Sequence, residues 1–354
     1  GTESPWARHH PDTQMRKEFS MKRSAMLVLL VVLGLAAGSC GGSDDVITVY
    51  SGRTSNLIGP LLEDFADSTG IDIEVRYGQS ADLALLIDQE GDRRPADIFI
   101  SQRPGAVGCL AGKGKLRPTG DEVLGLVPRE FRNAAGLWIG ISGRVRVIVY
   151  NRDLVDPSEL PASVFELTEE RFRDRVAVAP ANGSFQDFVT AMRETHGDDT
   201  TLAWLEGLVA NDARTYANNT SIVQAVGRGD VPMGLVNHYY NFRAKAEDPG
   251  VASENYYFPD RNIGSLMIVT AIGVLSTSDV PELADQLVEY MLGEEAQRFY
   301  SEKTFEYPLA AGVAPSSVLP ALSSIGVATY DFDRLGGGLE RTKELIDESG
   351  LEHS

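Results

Sequence analysis

The chain has 354 residues, 43% of them hydrophobic and 23% charged, enough for two α/β domains with cores of their own and unlike a disordered chain. Thirty-two Lys and Arg stand against 51 Asp and Glu, a net charge of −19, which excludes a surface built to neutralise nucleic-acid phosphates or to lie on anionic lipid. Two cysteines, Cys40 and Cys109, make neither a disulfide framework nor a cysteine zinc site, and the five histidines lack metal-protease spacing.

In chain order, the first feature is MKRSAMLVLLVVLGLAAGSC, from Met21 to Cys40: two basic residues, an apolar run from Ala25 to Ala37, then small residues. That layout is an export signal, and the run is too short and the following GGSDD too polar for a permanent membrane span. Ala37-Gly38-Ser39-Cys40 resembles a bacterial lipoprotein processing site, so residues 1–39 read as an upstream extension plus signal peptide. Residues 40–45 then form a tether with a lipid on Cys40, the expected sole membrane attachment. Cleavage before Cys40 leaves 27 basic against 48 acidic residues, a net charge of −21.

From Val46 short apolar runs alternate with amphipathic stretches: VITVY, LIGPLLEDFADSTG, IDIEVRY, ADLALLIDQEG, ADIFI. That rhythm is strand, helix, strand, helix, strand, the pattern of a parallel sheet with helical crossovers. Gly70 closes the first helix, and Ser80 and Asp82 open the second. A second unit starts with the strand Val145 to Asn151. A helix over 161–167, a strand VAVAP, and helices over 184–194, 200–209 and 220–226 follow. Then come a strand VPMGLV, a helix from about Tyr239, a packed strand at Tyr256-Tyr257, and a long apolar strand over 263–275. Two helices between Pro281 and Tyr300 and a last one over 339–349 complete the reading. With no linker between the units, the chain is expected to cross between lobes more than once, leaving a cleft. Its ligand belongs at the carboxyl ends of the strands, in the loops after Tyr50, Ile100, Pro180 and Val236.

Two of those loops have the residue types for anion and metal chemistry. Asn182-Gly183-Ser184 follows a strand and opens a helix, where a flexible backbone, a hydroxyl and helix N–H groups suit an oxyanion; the same residues also suit a plain helix cap. Tyr239-Tyr240 stands at a strand-to-helix transition, where both phenols can converge on one point. A phenolate is a hard donor that only a strongly Lewis-acidic ion such as Fe(III) frees from its proton at neutral pH, while two buried, hydrogen-bonded phenols are the alternative. Arg53 and Arg103 flank cleft loops and read as surface arginines, with added charge for a cleft ligand as the alternative, and Cys109 reads as a lone, partly buried thiol.

The segments GLWIGISGRVRVIVYN, VAVAPANGSF, TYANNTSIVQAVGRGDVPMGLVNHYYNF and FEYPLAAGV resemble, in order and spacing, the periplasmic ferric-ion-binding proteins of bacterial ABC importers. The resemblance runs from Val46 to the last helix and is most specific at NGSF, NNTSIVQAV and NHYY. It implies an α/β, two-lobed periplasmic-binding-protein fold of type II-like layout with a ligand cleft and hinge crossovers. One lobe would be 46–144 plus 268–320, the other 145–267 plus 321–354. It also implies Tyr239 and Tyr240 as ligands to Fe(III), carried as cargo with a synergistic anion (phosphate, carbonate or citrate) held by Asn182, Gly183, Ser184, Asn219 and Asn237. An ABC permease would be the partner, and the receptor a monomer in the periplasm or at the outer face of the cell membrane. The family's histidine and carboxylate ligands fall at Thr54 and Gln102, both neutral, so two phenolates and a chelating anion would supply most of the donor charge. His238 is expected to point away. An alternative cargo is a small organic anion, a phosphonate or an iron chelate in the same cleft. No nucleophile elbow, zinc-protease motif or phosphate loop is present, so an enzyme is not expected.

Overall fold

The computed structural model describes residues 46–93 and 96–353. The export signal, the tether and Cys40 lie outside the described residues. Among the described residues no helix is long and apolar enough to cross a membrane.

The chain begins β1 (Val46–Ser51), α1 (Ser55–Thr69), β2 (Asp72–Tyr77), α2 (Ser80–Glu90), β3 (Ile98–Ser101), α3 (Pro104–Gly112), β4 (Leu116–Arg117) and α4 (Asp121–Leu124). It continues through β5 (Ile139–Asn151), β6 (Val176–Val178), α5 (Gly183–His196), α6 (Asp198–Ala210), β7 (Arg214–Thr215), α7 (Asn219–Arg228), β8 (Met233–Asn237) and α8 (His238–Glu247). It ends with β9 (Ser253–Tyr256), β10 (Met267–Leu275), α9 (Pro281–Leu292), α10 (Glu294–Lys303), β11 (Tyr307–Pro308) and α11 (Leu339–Ser349). The punctuation read from sequence explains many ends: Gly70, at φ 74°, closes α1, and Asn182 accepts the Ser184 N–H to open α5.

The strands form a mixed sheet in the order β2-β1-β3-β10-β5-β8-β6-β7. β1 pairs in parallel with β2 and β3, and β6 in parallel with β7 and β8, so each half of the sheet is built from strand–helix–strand crossovers. β5 joins the halves. Its residues 139–145 pair antiparallel with β10, and 146–150 pair antiparallel with β8. β10 and β8 are buried along their whole length, as expected for strands covered on both faces. The tail returns across both halves: Asp333 accepts from the Asn133 amide and the Trp138 indole at 2.7 and 2.9 Å, whereas α11 packs on α5 and α6.

Three expectations need correction. The stretch 161–167 is no α-helix: one short 3₁₀ turn, Val164–Thr168, stands there, opened by Ser163 and Glu166 as a capping box, because Val164 and Leu167 supply only one apolar turn. The strand expected over 263–275 starts at Met267; Asn262 accepts the Gly264 N–H and bends Ile263–Ser265 into a 3₁₀ turn. The strand expected from Val145 starts at Ile139, since β10 and β11 give its first half pairing partners.

Candidate metal and anion site

Five helices direct their N-termini into one cavity of about 430 Å³. Thr54, Gln79, Arg103, Asn182 and Asn237 are the N-cap residues of α1, α2, α3, α5 and α8, and each lines it. All five helices follow strands, so the cavity sits at the carboxyl ends of the sheet, where unpaired N–H groups and helix dipoles favour negative charge. Gly52 lets two loops meet here: a Cβ at that position would lie 2.0 Å from Ser80 Oγ, which accepts the Gln102 N–H at 3.0 Å.

Tyr239 and Tyr240 converge at the start of α8. Their ring centroids are 4.1 Å apart, and both side chains line the cavity. Tyr239 is buried, and burial, followed by the neighbouring Tyr240 phenol, pushes its pKa well above the usual tyrosine value. A protonated phenol is thus the resting form, and a metal has to displace the proton. Thr54 and Gln102 face the same cavity, and the Gln102 side-chain oxygen is buried without a hydrogen-bond partner. No group of three or more His, Cys, Asp or Glu that could hold a metal occurs among the described residues, so the anionic donors available in the cavity are the two phenols.

Asn182, Gly183, Ser184 and Asn237 also line the cavity, and Asn219 stands one step behind. The Asn219 amide donates to Asn182 Oδ1 at 3.2 Å and to Ser184 Oγ at 3.1 Å, and Ser184 Oγ donates to Asn182 Oδ1 at 2.7 Å. Arg146, 1% exposed, approaches the seat from behind: its Nη1 donates to Ser184 Oγ at 3.4 Å and to Asn237 Oδ1 at 3.3 Å, while Nη2 has no partner. Burial pushes the Arg146 pKa down to about 9, which leaves it charged at neutral pH. Arg103, Arg144 and Arg243 line the cavity itself, with no Asp, Glu or His beside them in the lining. A cavity with three guanidiniums, five helix N-termini and a fourth guanidinium behind is built for negative charge.

A family model described as bacterial extracellular solute-binding protein matches residues 93–336. The chain is a bacterial extracellular solute-binding protein. A relative from Serratia marcescens named Fe(3+)-binding periplasmic protein is 29% identical over 331 residues, 92% of this chain and 96% of the relative. Iron-bound HitA from Pseudomonas aeruginosa superposes with a TM-score of 0.80 at 32% identity, covering 86% of this chain and 99% of HitA. The Trichodesmium protein IdiA (FutA), solved in complex with iron and citrate ligands, gives 0.78 at 29% identity over 86% of this chain and 99% of its own. The family consists of solute-binding proteins and not enzymes, and the fold is the two-lobed one with a cleft and hinge crossovers.

In this binding protein His238 lies behind the tyrosines: fully buried, its Nδ1 accepts the Val145 N–H at 3.1 Å. Burial pushes its pKa down to about 4, so it is neutral. Arg53 corrects an expectation. It is no surface residue but wholly buried, with Nη1 and Nη2 on the two Glu306 oxygens at 3.0 and 2.8 Å and Thr270 Oγ1 at 2.8 Å. Burial disfavours the Glu306 carboxylate, yet Arg53 holds its pKa down to about 2. Arg144, Arg146 and Arg243 escaped the sequence reading. The available signal was GRVRV, two arginines two residues apart in an otherwise apolar strand and therefore on one face of it. Cys109 is half-buried and free.

Proposed function

We propose that the protein is the extracytoplasmic receptor of an ABC importer. It captures Fe(III) through the Tyr239 and Tyr240 phenolates and carries it with a synergistic anion seated on Asn182, Gly183, Ser184, Asn219 and Asn237. Thr54 and the free Gln102 oxygen offer neutral donors from the opposite wall. The observation that carries the reading is the tyrosine pair, 4.1 Å between ring centroids, at the edge of a cavity rich in positive charge. Because the arginines already supply positive charge and the lining supplies no carboxylate, the anion must bring several negative charges. Citrate or phosphate therefore suits the site better than a monoanion.

The proposal includes a lipid on Cys40, a monomeric receptor, and closure of one lobe, 46–144 plus 268–320, on the other, 145–267 plus 321–354. The change of partners along β5 at 145/146 supports the first boundary. The packing of α11 on α5 and α6 supports placing the end of the chain with the second lobe. The Asp333 contacts with Asn133 and Trp138 instead favour a last crossing between Asp333 and α11, with 321–333 assigned to the first lobe in this proposal.

A visible absorption titration of the purified protein with Fe(III) citrate tests it. A phenolate-to-iron charge-transfer band is expected, and it should vanish when Tyr239 and Tyr240 are both replaced by phenylalanine. A band that survives in that variant, or none in the wild type, removes the phenolate site. The three lining arginines favour one second reading, a polyanionic organic cargo without iron. In that case citrate or an organic phosphate binds the double phenylalanine variant as tightly as the wild type.

A further inference from the structure

Arg103 belongs to the loop that leaves β3, and its side chain reaches over the start of α5, in the other half of the sheet. A Cβ built on Gly183 would fall 1.8 Å from Arg103 Nη1 and 2.4 Å from its Cζ, so the guanidinium rests on the bare backbone of residue 183. One turn further along α5 is Asp187, 6% exposed. Its Oδ2 has no hydrogen-bond partner and lies 3.9 Å from Arg103 Nε. Burial raises the Asp187 carboxyl pKa, opposed by Arg103 and Arg144. Arg103 is also shared between two cavities: the ligand cavity, and a second one of about 310 Å³ lined by Leu85, Cys109 and Leu339 with Asp187.

We infer that Arg103 is the positioning residue that couples anion occupancy to cleft closure, with Gly183 as its socket and Asp187 as its anchor. The inference rests on the anion seat proposed above and adds to it a role for residue 183 that involves no ligand. The missing side chain makes room for the guanidinium of the facing wall. Arg103 then presents one edge to an anion on the Ser184 side while its Nε faces Asp187. An anion pulls the guanidinium toward itself, and the carboxylate keeps it from swinging out into the second cavity. With no anion, the one charged contact of the Arg103 guanidinium among the described residues is at 3.9 Å and lacks a hydrogen bond. The closed arrangement is then weakly favoured, and the ligand's extra contact in the closed state shifts the equilibrium.

The test is a double-mutant cycle on the purified protein, with citrate alone and then Fe(III) citrate as probes. Affinity is read by calorimetry and closure by the radius of gyration from X-ray scattering. Gly183 is not in the left-handed region, and it opens a helix where alanine is well tolerated, so Gly183→Ala is expected to fold, as checked by circular dichroism. Gly183→Ala and Arg103→Ala should each weaken citrate binding about tenfold and reduce the compaction seen on loading. The double variant should be no weaker than Arg103→Ala. Asp187→Asn, a residue outside the ligand cavity, should weaken binding about threefold in the wild type and leave Arg103→Ala unchanged. Additive losses in the cycle, or full compaction of Gly183→Ala on loading, overturn the latch. Because citrate alone drives the cycle, a missing visible band with iron counts against the ferric reading and not against the latch.

Discussion

Two buried arginines, Arg53 in the loop after β1 and Arg146 on β5, stand with surroundings finished to different degrees. Arg53 has its charge matched: Nη1 and Nη2 meet both Glu306 oxygens, Nη1 also meets Thr270, and the Tyr300 ring lies 5.7 Å from its Cζ, with Nε alone left without a partner. Arg146 is as deeply buried and also lies over a ring, Phe188 at 5.5 Å, but it has two long hydrogen bonds to neutral oxygens, Nε and Nη2 without partners, and no ion pair among the described residues. The group around Arg53 is part of what holds the fold together, tying the loop after β1 to the segment before β11. Arg146 carries an electrostatic deficit that the folded chain leaves unfilled. Buried guanidiniums without carboxylates are expensive, and retaining one beside a seat of Asn and Ser side chains is the mark of a place kept for an incoming anion.

Breaking the finished group should have the largest effect. Glu306→Gln leaves Arg53 buried without its counter-charge and should cost about 3–5 kcal/mol in denaturant unfolding. A loss below about 1 kcal/mol would show that the pair is incidental. Acid sharpens the comparison next. His238 has a folded pKa of about 4 against 6.5 unfolded, so as pH falls from 6.5 to 4 the unfolded chain takes up a proton that the folded one refuses, and stability drops by on the order of 3 kcal/mol. Glu306, held at about 2 against 4.5, adds a second loss as pH falls from about 4.5 to 2. Denaturant midpoints measured from pH 7 to 3 check both, and the His238→Gln variant should lack the upper step. Arg146→Met makes the opposite case: unfolding stability unchanged or raised, and citrate affinity lowered about tenfold, the share of one charge-assisted contact. A stability loss like that of Glu306→Gln would place Arg146 with the finished group.

The sequence was most legible where pattern and packing agree. The alternation from Val46 to Ile100 predicts β1, α1, β2, α2 and β3 because each run is apolar on the face it buries, and Gly70 marks the end of α1. Asn182, Tyr239 and Tyr240, chosen as loop residues after strands, meet in one cavity with Thr54 and Gln102, which the family resemblance supplied. The arginines were less legible, since a charged residue in an isolated strand reads as a solvent-facing position. That Arg144 and Arg146 face inward depends on both neighbours of β5, from distant stretches of the chain, covering the strand. Arg53 likewise became an internal residue only through Glu306, 253 positions away. The short apolar stretches at 161–167 and 263–265 failed for a local reason: a capping side chain, Ser163 or Asn262, starts a single 3₁₀ turn in each.

The change of partners along β5 also has a mechanical consequence. Ser142, Arg144 and Arg146 share one face of the strand, and the exchange of β10 for β8 falls between Val145 and Arg146. Charges at a fulcrum travel little when the two sides swing, whereas Arg103, out at the end of β3, travels with its side. In the proposed receptor, Arg144 in the lining and the charge of Arg146 behind it would therefore act on an anion in much the same way before and after the swing, as the bait. Capture and enclosure become separable events: removing Arg103 should leave the association rate nearly unchanged in stopped-flow fluorescence and quicken release, while removing Arg146 should slow the first encounter.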